Sequence, residues 1–177
     1  RENLGKGFVN ICKALKYIAE SNESVDIVYP VHLNPNVYNT IHKMLSRSKN
    51  IYLIKPVEYL PFVYLMQKSH FIITDSGGIQ EEAPSLGKPV LVTRDTTERP
   101  EAIKSGTVKL VGTNTEKIIR EAQNLLNNQV DYKKMSSAHN PYGDGKSSKK
   151  IIKFFKKFWS NILMMIKVYF IIIDTGE

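Results

Sequence analysis

Leu4, Phe8, Ile11, Leu15 and Ile18 recur at spacings of three and four, with polar and charged residues between them. That rhythm predicts an amphipathic helix over Leu4 to Glu20, its apolar stripe facing a core. The period then shortens. Val25-Asp26-Ile27-Val28-Tyr29, ended by Pro30, has the length and β-branched content of a strand. Asn34-Pro35 joins an N-cap residue type to a first-turn proline, and Val37, Ile41, Met44 and Leu45 carry a second helix to about Arg47. Further strands are expected at Ile51–Ile54, Phe71–Ile73, Pro89–Val92 and Thr107–Val111. Helices are expected from Glu58 to about Ser69, from a first turn at Ile79-Gln80-Glu81-Glu82, from Pro100, and from a Thr115 cap through Asn127. On the last of these, Ile118, Ile119, Ala122, Leu125 and Leu126 share one face.

Strand and helix therefore alternate about five times. This implies βαβ units, a parallel sheet, and an α/β fold of the Rossmann-like, doubly wound kind. Such sheets take ligands beyond the carboxyl ends of their strands. The loops Val31–Asn36, Lys55–Phe62, Asp75–Gly78 and Thr93–Arg99 all belong to that edge and are expected to converge on one crevice. The pattern does not say which strands are neighbours.

After Asn128 the rhythm weakens. Asp131–Met135 suits one or two helical turns, and His139–Gly145 is a turn-rich loop. Lys149 to Trp159 reads as a helix with Ile151, Ile152, Phe155 and Phe158 on one side. Ile162 to Ile173 is apolar apart from Lys167, and is too short to span a bilayer, which needs about 20 residues. Two readings stay open for this tail. It lies at a membrane surface, or it is an atypical C-terminus or a helix that packs on a missing partner lobe. The second is the commoner situation.

Composition narrows the class. A chain of 177 residues builds one sizeable core and is marginal for two domains. Of its net charge of +8, +5 falls after Gly145, where seven lysines meet two acids. The basic balance thus belongs to the tail and argues against nucleic-acid binding by the main domain. Cys12 is the single cysteine, which excludes an intrachain disulfide and a cysteine metal cluster and suits a reducing cytoplasm. His32, His42, His70 and His139 are scattered without metal-ligand spacing. No signal-peptide pattern follows Arg1, and the opening Arg1-Glu2-Asn3 suggests a fragment.

The candidate chemistry centres on Thr74-Asp75-Ser76-Gly77-Gly78. A strand, a glycine pair and a helix start make an anion site, with free amides and the positive end of the helix dipole pointing outward. A tight connection without any ligand accounts for the same residues. Arg99, beside the helix start at Pro100, suits a diphosphate better than Arg94 does. Glu81 and Glu82 point about 100° apart on a helix, so at most one faces the ligand. That one accepts hydrogen bonds from a sugar, or both carboxylates merely complement the dipole. Phe62 faces a nucleobase or staples its helix into the core. His32 is a turn residue or a phosphate or sugar contact. The residues themselves reach a nucleotide or nucleotide-sugar binding lobe, without a reaction.

Longer stretches carry a resemblance. Asp75-Ser76-Gly77-Gly78-Ile79-Gln80-Glu81-Glu82-Ala83-Pro84, Gly87-Lys88-Pro89-Val90-Leu91 and Arg94-Asp95-Thr96-Thr97-Glu98-Arg99-Pro100-Glu101-Ala102 resemble the non-hydrolysing UDP-N-acetylglucosamine 2-epimerases. So do Arg1-Glu2-Asn3, Pro30–Val37, Tyr59-Leu60-Pro61-Phe62 and Asn140–Gly145, in family order over about Arg1 to Lys153. The resemblance implies the C-terminal lobe, residues 1–153, of a two-lobed glycosyltransferase-B-like architecture, with 154–177 an atypical tail. It implies a cytoplasmic isomerase that interconverts UDP-GlcNAc and UDP-ManNAc for polysaccharide biosynthesis, without metal or other cofactor, as a homodimer of the full-length parent. The C2 proton is abstracted, UDP is expelled to leave a glycal, and UDP adds back with C2 inverted. In that scheme Ser76, Gly77 and Gly78 hold the diphosphate, Glu82 contacts the ribose, Arg99 belongs to the substrate site and Phe62 borders the uracil. His32 matches a histidine that contacts a second, regulatory UDP-GlcNAc.

Two departures qualify it. Val57 stands where a nucleotide-contacting glutamine is often found. The family's acid/base carboxylates belong to the N-terminal lobe, and its active-site histidine lies just before Arg1, so the chain alone is expected to be inactive. The alternatives are a donor-binding lobe of a related glycosyltransferase and a non-catalytic module that binds a membrane surface or a partner through the tail.

Overall fold

The computed structural model describes residues 5–143 and 145–159. The helix position at Leu4, the Arg1-Glu2-Asn3 match, Asp144 and the apolar stretch Ile162–Ile173 lie outside the described residues. Contacts divide the chain into two units, Arg1–Pro141 and Tyr142–Glu177.

The first unit opens with α1 (Lys6–Glu20), which buries Ile11, Cys12, Ala14, Leu15, Ile18 and Ala19. There follow β1 (Ile27–Pro30), α2 (Pro35–Leu45), β2 (Ile51–Ile54), α3 (Tyr59–Lys68), β3 (Ile72–Thr74) and α4 (Gly77–Ser85). The unit closes with β4 (Val90–Val92), α5 (Pro100–Ser105), β5 (Val108–Leu110), α6 (Thr115–Asn127) and α7 (Gln129–Ser136). The expected alternation is present, and every strand pairing is parallel. The strands form two hydrogen-bonded groups, β1-β2 and β3-β4-β5.

Local chemistry explains several boundaries. Asn34 Oδ1 accepts the Asn36 N–H at 3.0 Å and Pro35 occupies the first turn of α2, as the Asn-Pro pair predicts. Asn50 Nδ2 donates to the carbonyls of Ala19 at 2.9 Å and Val25 at 2.7 Å, tying the α1–β1 connection to the start of β2. Gly106 ends α5 at φ 82°, a left-handed position that glycine takes without penalty.

Two expectations need correction. The cap of α6 is Asn114, whose Oδ1 accepts the Lys117 N–H at 2.9 Å. Thr115 instead donates its hydroxyl to the Asn10 carbonyl at 3.1 Å, which fastens α6 to α1. Helix α4 begins at Gly77, two residues before the expected start at Ile79, so Glu81 and Glu82 lie beyond its first turn.

The core is continuous across α1, α2 and α6, with Ile18, Ile41, Leu45, Leu91 and Ile118 fully buried or nearly so. Helix α1 packs on both α2 and α6, whereas α4 and α5 pack on β3, β4 and β5. Glu121 is buried on the inner face of α6, where it pairs with Lys109 of β5 and with Arg120.

In the second unit residues 147–159 are helical. Ile151, Ile152, Phe154, Phe155, Phe158 and Trp159 are each more than half exposed. No helix among the described residues is long and apolar enough to cross a membrane.

Candidate functional site

Strand β3 delivers the chain to the site. The Ser76 N–H donates to Thr74 Oγ1 at 3.0 Å, which bends the backbone out of the strand. Ser76 then stands as the N-cap of α4 in an extended conformation, φ −80° and ψ 131°, yet its hydroxyl makes no capping bond. The hydroxyl remains a donor at the mouth of the helix.

Gly77 and Gly78 are the first two residues of α4. Neither has positive φ. The glycine pair is therefore helical backbone, not a left-handed turn, and backbone freedom does not explain it. Space does. A Cβ on Gly78 would meet nothing nearer than Ser76 Oγ at 3.9 Å and Glu82 Oε1 at 4.0 Å. The first two residues of α4 carry no side chain, and their amides have no intrahelical partner and the positive end of the dipole behind them.

Charged groups surround that start. A Cβ on Gly77 would lie 3.0 Å from Glu98 Oε1 and 3.7 Å from Arg99 Nη2, so both side chains lean over the helix end. Arg99 Nε donates to the Glu81 carboxylate, and Arg94 Nη1 donates to Glu98 Oε2 at 3.1 Å. The own backbone N–H of Glu98 holds its carboxyl below the usual range, against desolvation and with help from Arg94 and Arg99. Glu98 is thus an anion beside an anion site, restrained by two arginines.

A buried polar link sets this loop. Gln80 is fully buried; its Nε2 donates to the Ser76 carbonyl at 3.2 Å and its Oε1 accepts the Thr97 hydroxyl at 2.7 Å. Thr97 Oγ1 in turn accepts the Arg99 N–H at 3.1 Å. One side chain therefore fixes both the cap of α4 and the backbone that carries Arg99. The sequence marks Gln80 only as a polar residue in a helix; its partner lies 17 positions away.

Of the residues singled out from sequence, the structure gathers Ser76, Gly77, Gly78, Glu82 and Arg99 at the head of α4. Glu82 accepts the Tyr59 hydroxyl at 3.2 Å, which brings the start of α3 to the same place and pushes the Tyr59 phenol pKa up. Tyr59 is an addition to the set. Phe62, one turn further along α3, is half-buried and lines a cavity of about 820 Å³ together with Thr74, Asp75 and Ile79. His32 is exposed in the loop after β1, where its Nδ1 accepts the Asn34 N–H at 3.0 Å. The gathered groups bind and orient an anion. Their carboxylates are engaged by arginine and tyrosine donors, and none is placed as a free base.

Comparison with known proteins shows what the chain is similar to. The family model described as UDP-N-acetylglucosamine 2-epimerase matches residues 1–156. The chain is 61% identical over 161 residues to a UDP-N-acetylglucosamine 2-epimerase of Campylobacter jejuni, covering 91% of this chain and 42% of that protein. It is 57% identical over 156 residues to the Escherichia coli K12 protein of the same name, covering 88% and 42%. Among solved structures, the UDP-GlcNAc 2-epimerase of Neisseria meningitidis bound to UDP-GlcNAc superposes with a TM-score of 0.83 at 55% identity, covering 89% of this chain and 42% of that one. The Methanocaldococcus jannaschii enzyme in complex with UDP-GlcNAc and UDP gives 0.72 at 34% identity, with coverages of 88% and 42%. The chain thus spans well under half the length of these relatives.

Proposed function

This chain belongs to the UDP-N-acetylglucosamine 2-epimerase family, and we propose that it supplies the lobe that holds UDP. The observation that carries the reading is the bare start of α4. Free amides at Gly77 and Gly78, an uncommitted Ser76 hydroxyl and the adjacent Arg99 form a seat for a diphosphate. On this reading Glu82 accepts the ribose hydroxyls in place of Tyr59, and Phe62 borders the uracil. His32 serves a second, regulatory nucleotide sugar. The nucleotide-binding lobe is residues 1–153, and residues 154–177 are an appendage to it.

The whole enzyme interconverts UDP-GlcNAc and UDP-ManNAc in the cytoplasm as a homodimer. A base removes the C2 proton and UDP leaves C1, forming a glycal; UDP then returns to C1 as a proton is delivered to the opposite face of C2. The contribution of this lobe is to the leaving group. Positive dipole, amides and Arg99 stabilise the diphosphate as it gains charge and keep it in place for re-addition. The proton chemistry belongs to the partner lobe, so the chain alone does not epimerise.

Titration calorimetry with UDP tests this. The wild-type chain binds UDP with one site, and Ser76→Ala combined with Arg99→Ala weakens binding strongly. Unchanged affinity in a folded double variant refutes the phosphate seat.

A further inference from the structure

Gln80 is fully buried on α4, one turn after Ser76. A buried amide costs free energy unless both of its ends find partners. Both do. Nε2 donates back to the Ser76 carbonyl at 3.2 Å, and Oε1 accepts the Thr97 hydroxyl at 2.7 Å. A carbonyl only accepts, so the Ser76 end decides which end of the amide faces which neighbour. The Thr97 hydroxyl gives its proton to Gln80, and its oxygen accepts the Arg99 N–H at 3.1 Å. The bonds therefore run in one sense, from Arg99 through Thr97 and Gln80 to Ser76.

The two ends of this chain of bonds are the two arms of the candidate seat. The Ser76 carbonyl shares a planar peptide group with the Gly77 N–H, so whatever holds the carbonyl aims the amide. The same bond polarises that peptide and strengthens its N–H as a donor. Ser76 is held on its other side as well, because Thr74 Oγ1 accepts its N–H at 3.0 Å. At the far end, Arg99 stands just before α5 with φ −121° and ψ 56°, outside the helical region. Thr97 holds its N–H, and Glu81 accepts from its guanidinium. Adjacent residues of α4, Gln80 and Glu81, thus restrain Arg99 by its main chain and by its side chain.

We propose that Gln80 is the positioning residue of the diphosphate seat: it aims the Gly77 amide through the Ser76–Gly77 peptide and places Arg99 through Thr97. The inference rests on the reading of the head of α4 as that seat. Gln80 itself touches no ligand in this scheme. It keeps an amide and an arginine in register, so that both donors stand ready as charge develops on the leaving group. The nearest replacements fail. Asparagine is one methylene too short to reach both partners. Glutamate has no donor for the Ser76 carbonyl and brings a charge beside the phosphates. Leucine fills the space and makes neither bond.

The test is calorimetric titration of UDP into the 177-residue chain and its variants, each checked for a cooperative urea melt. Gln80→Leu is expected to weaken UDP at least about tenfold, the equivalent of one net hydrogen bond. Thr97→Val should weaken it by a similar factor, whereas Thr97→Ser, which keeps the hydroxyl, should stay within about threefold of wild type. Thr97→Val and Arg99→Ala lie on one path, so the two together should cost much less than the sum of their separate losses. A staple that only stabilises the fold gives additive losses and no rescue by serine, and either result overturns the proposal. It is also overturned if a folded Gln80→Leu variant binds UDP like wild type while the Ser76→Ala, Arg99→Ala double variant is impaired; the seat then stands without Gln80. If Gln80→Leu does not melt cooperatively, the Thr97 variants decide. If the double variant too binds UDP like wild type, the seat itself fails and the proposal falls with it.

Discussion

Gly78→Ala separates an anion seat from a mere strand-to-helix joint. Gly78 has helical backbone, and an added Cβ would find no neighbour within 3.9 Å. The methyl group fits without strain and removes the entropy disadvantage of glycine in a helix. Folding stability should therefore rise by about 0.5–1 kcal/mol. For a chain of this size that is roughly 1–4 °C in Tm. If the open space is there for a ligand, the same methyl group stands where a phosphate oxygen must approach the backbone. Losing one charge-assisted hydrogen bond costs about 1.5–3 kcal/mol, or roughly 10- to 100-fold in Kd. Urea denaturation and calorimetry with UDP, run on the same preparation, read both effects. A gain in stability with unchanged UDP affinity refutes the ligand argument. A loss of stability refutes the claim that the site is sterically open.

Glu98→Gln should raise UDP affinity severalfold at neutral pH, because it removes an anion leaning over Gly77 while keeping acceptors for Arg94 and Arg99; weaker binding would show that Glu98 supports the site instead. Glu121 is held below the ordinary carboxylate range because hydrogen bonds from Lys109 and Arg120 together outweigh burial, which by itself raises it. Its stabilising contribution is complete above the unfolded carboxylate pKa of about 4.3 and is lost as pH falls through the lower folded value. Glu121→Gln should thus cost about 1–2 kcal/mol at pH 7 in urea melts and much less near pH 3. Cys12 is fully buried and its thiol pKa is pushed up to about 11, so a thiol reagent at pH 8 should label it only after denaturation; fast native labelling would contradict the packing of α1. Ile118→Ala should cost about 2–5 kcal/mol through the cavity it leaves at the α1–α6 contact, read by the urea midpoint.

Much of this molecule was legible from its residues, and what was not has physical causes. Helices α1, α2 and α6 follow apolar spacings that local sequence states in full, and Asn34-Pro35 marks a helix start because both residues act through their immediate neighbours. The Asn114-Thr115 pair misleads because both are cap types; the choice falls to Asn114 since Thr115 is drawn to Asn10, 105 positions away. Glycine disfavours helix, so Gly77-Gly78 reads as a turn until the fold shows two helical residues kept bare. The grouping of the strands is silent because pairing is long-range. Gln80 and Glu121 look like surface polar residues, and only the Thr97 and Lys109 contacts explain their burial. At the site, sequence offers Arg99 and Ser76 by residue type, whereas Glu98, Thr97 and Tyr59 become visible only when three loops meet.

The central claim is that the start of α4 seats the diphosphate of UDP. Calorimetric titration of UDP into the folded 177-residue chain, alongside uridine and the Ser76→Ala, Arg99→Ala double variant, addresses it most directly. The account predicts saturable one-site binding of UDP, far weaker binding of uridine, and loss of UDP binding in a double variant that still melts cooperatively. Equal affinity for UDP and uridine, or full UDP affinity in the double variant, would contradict it.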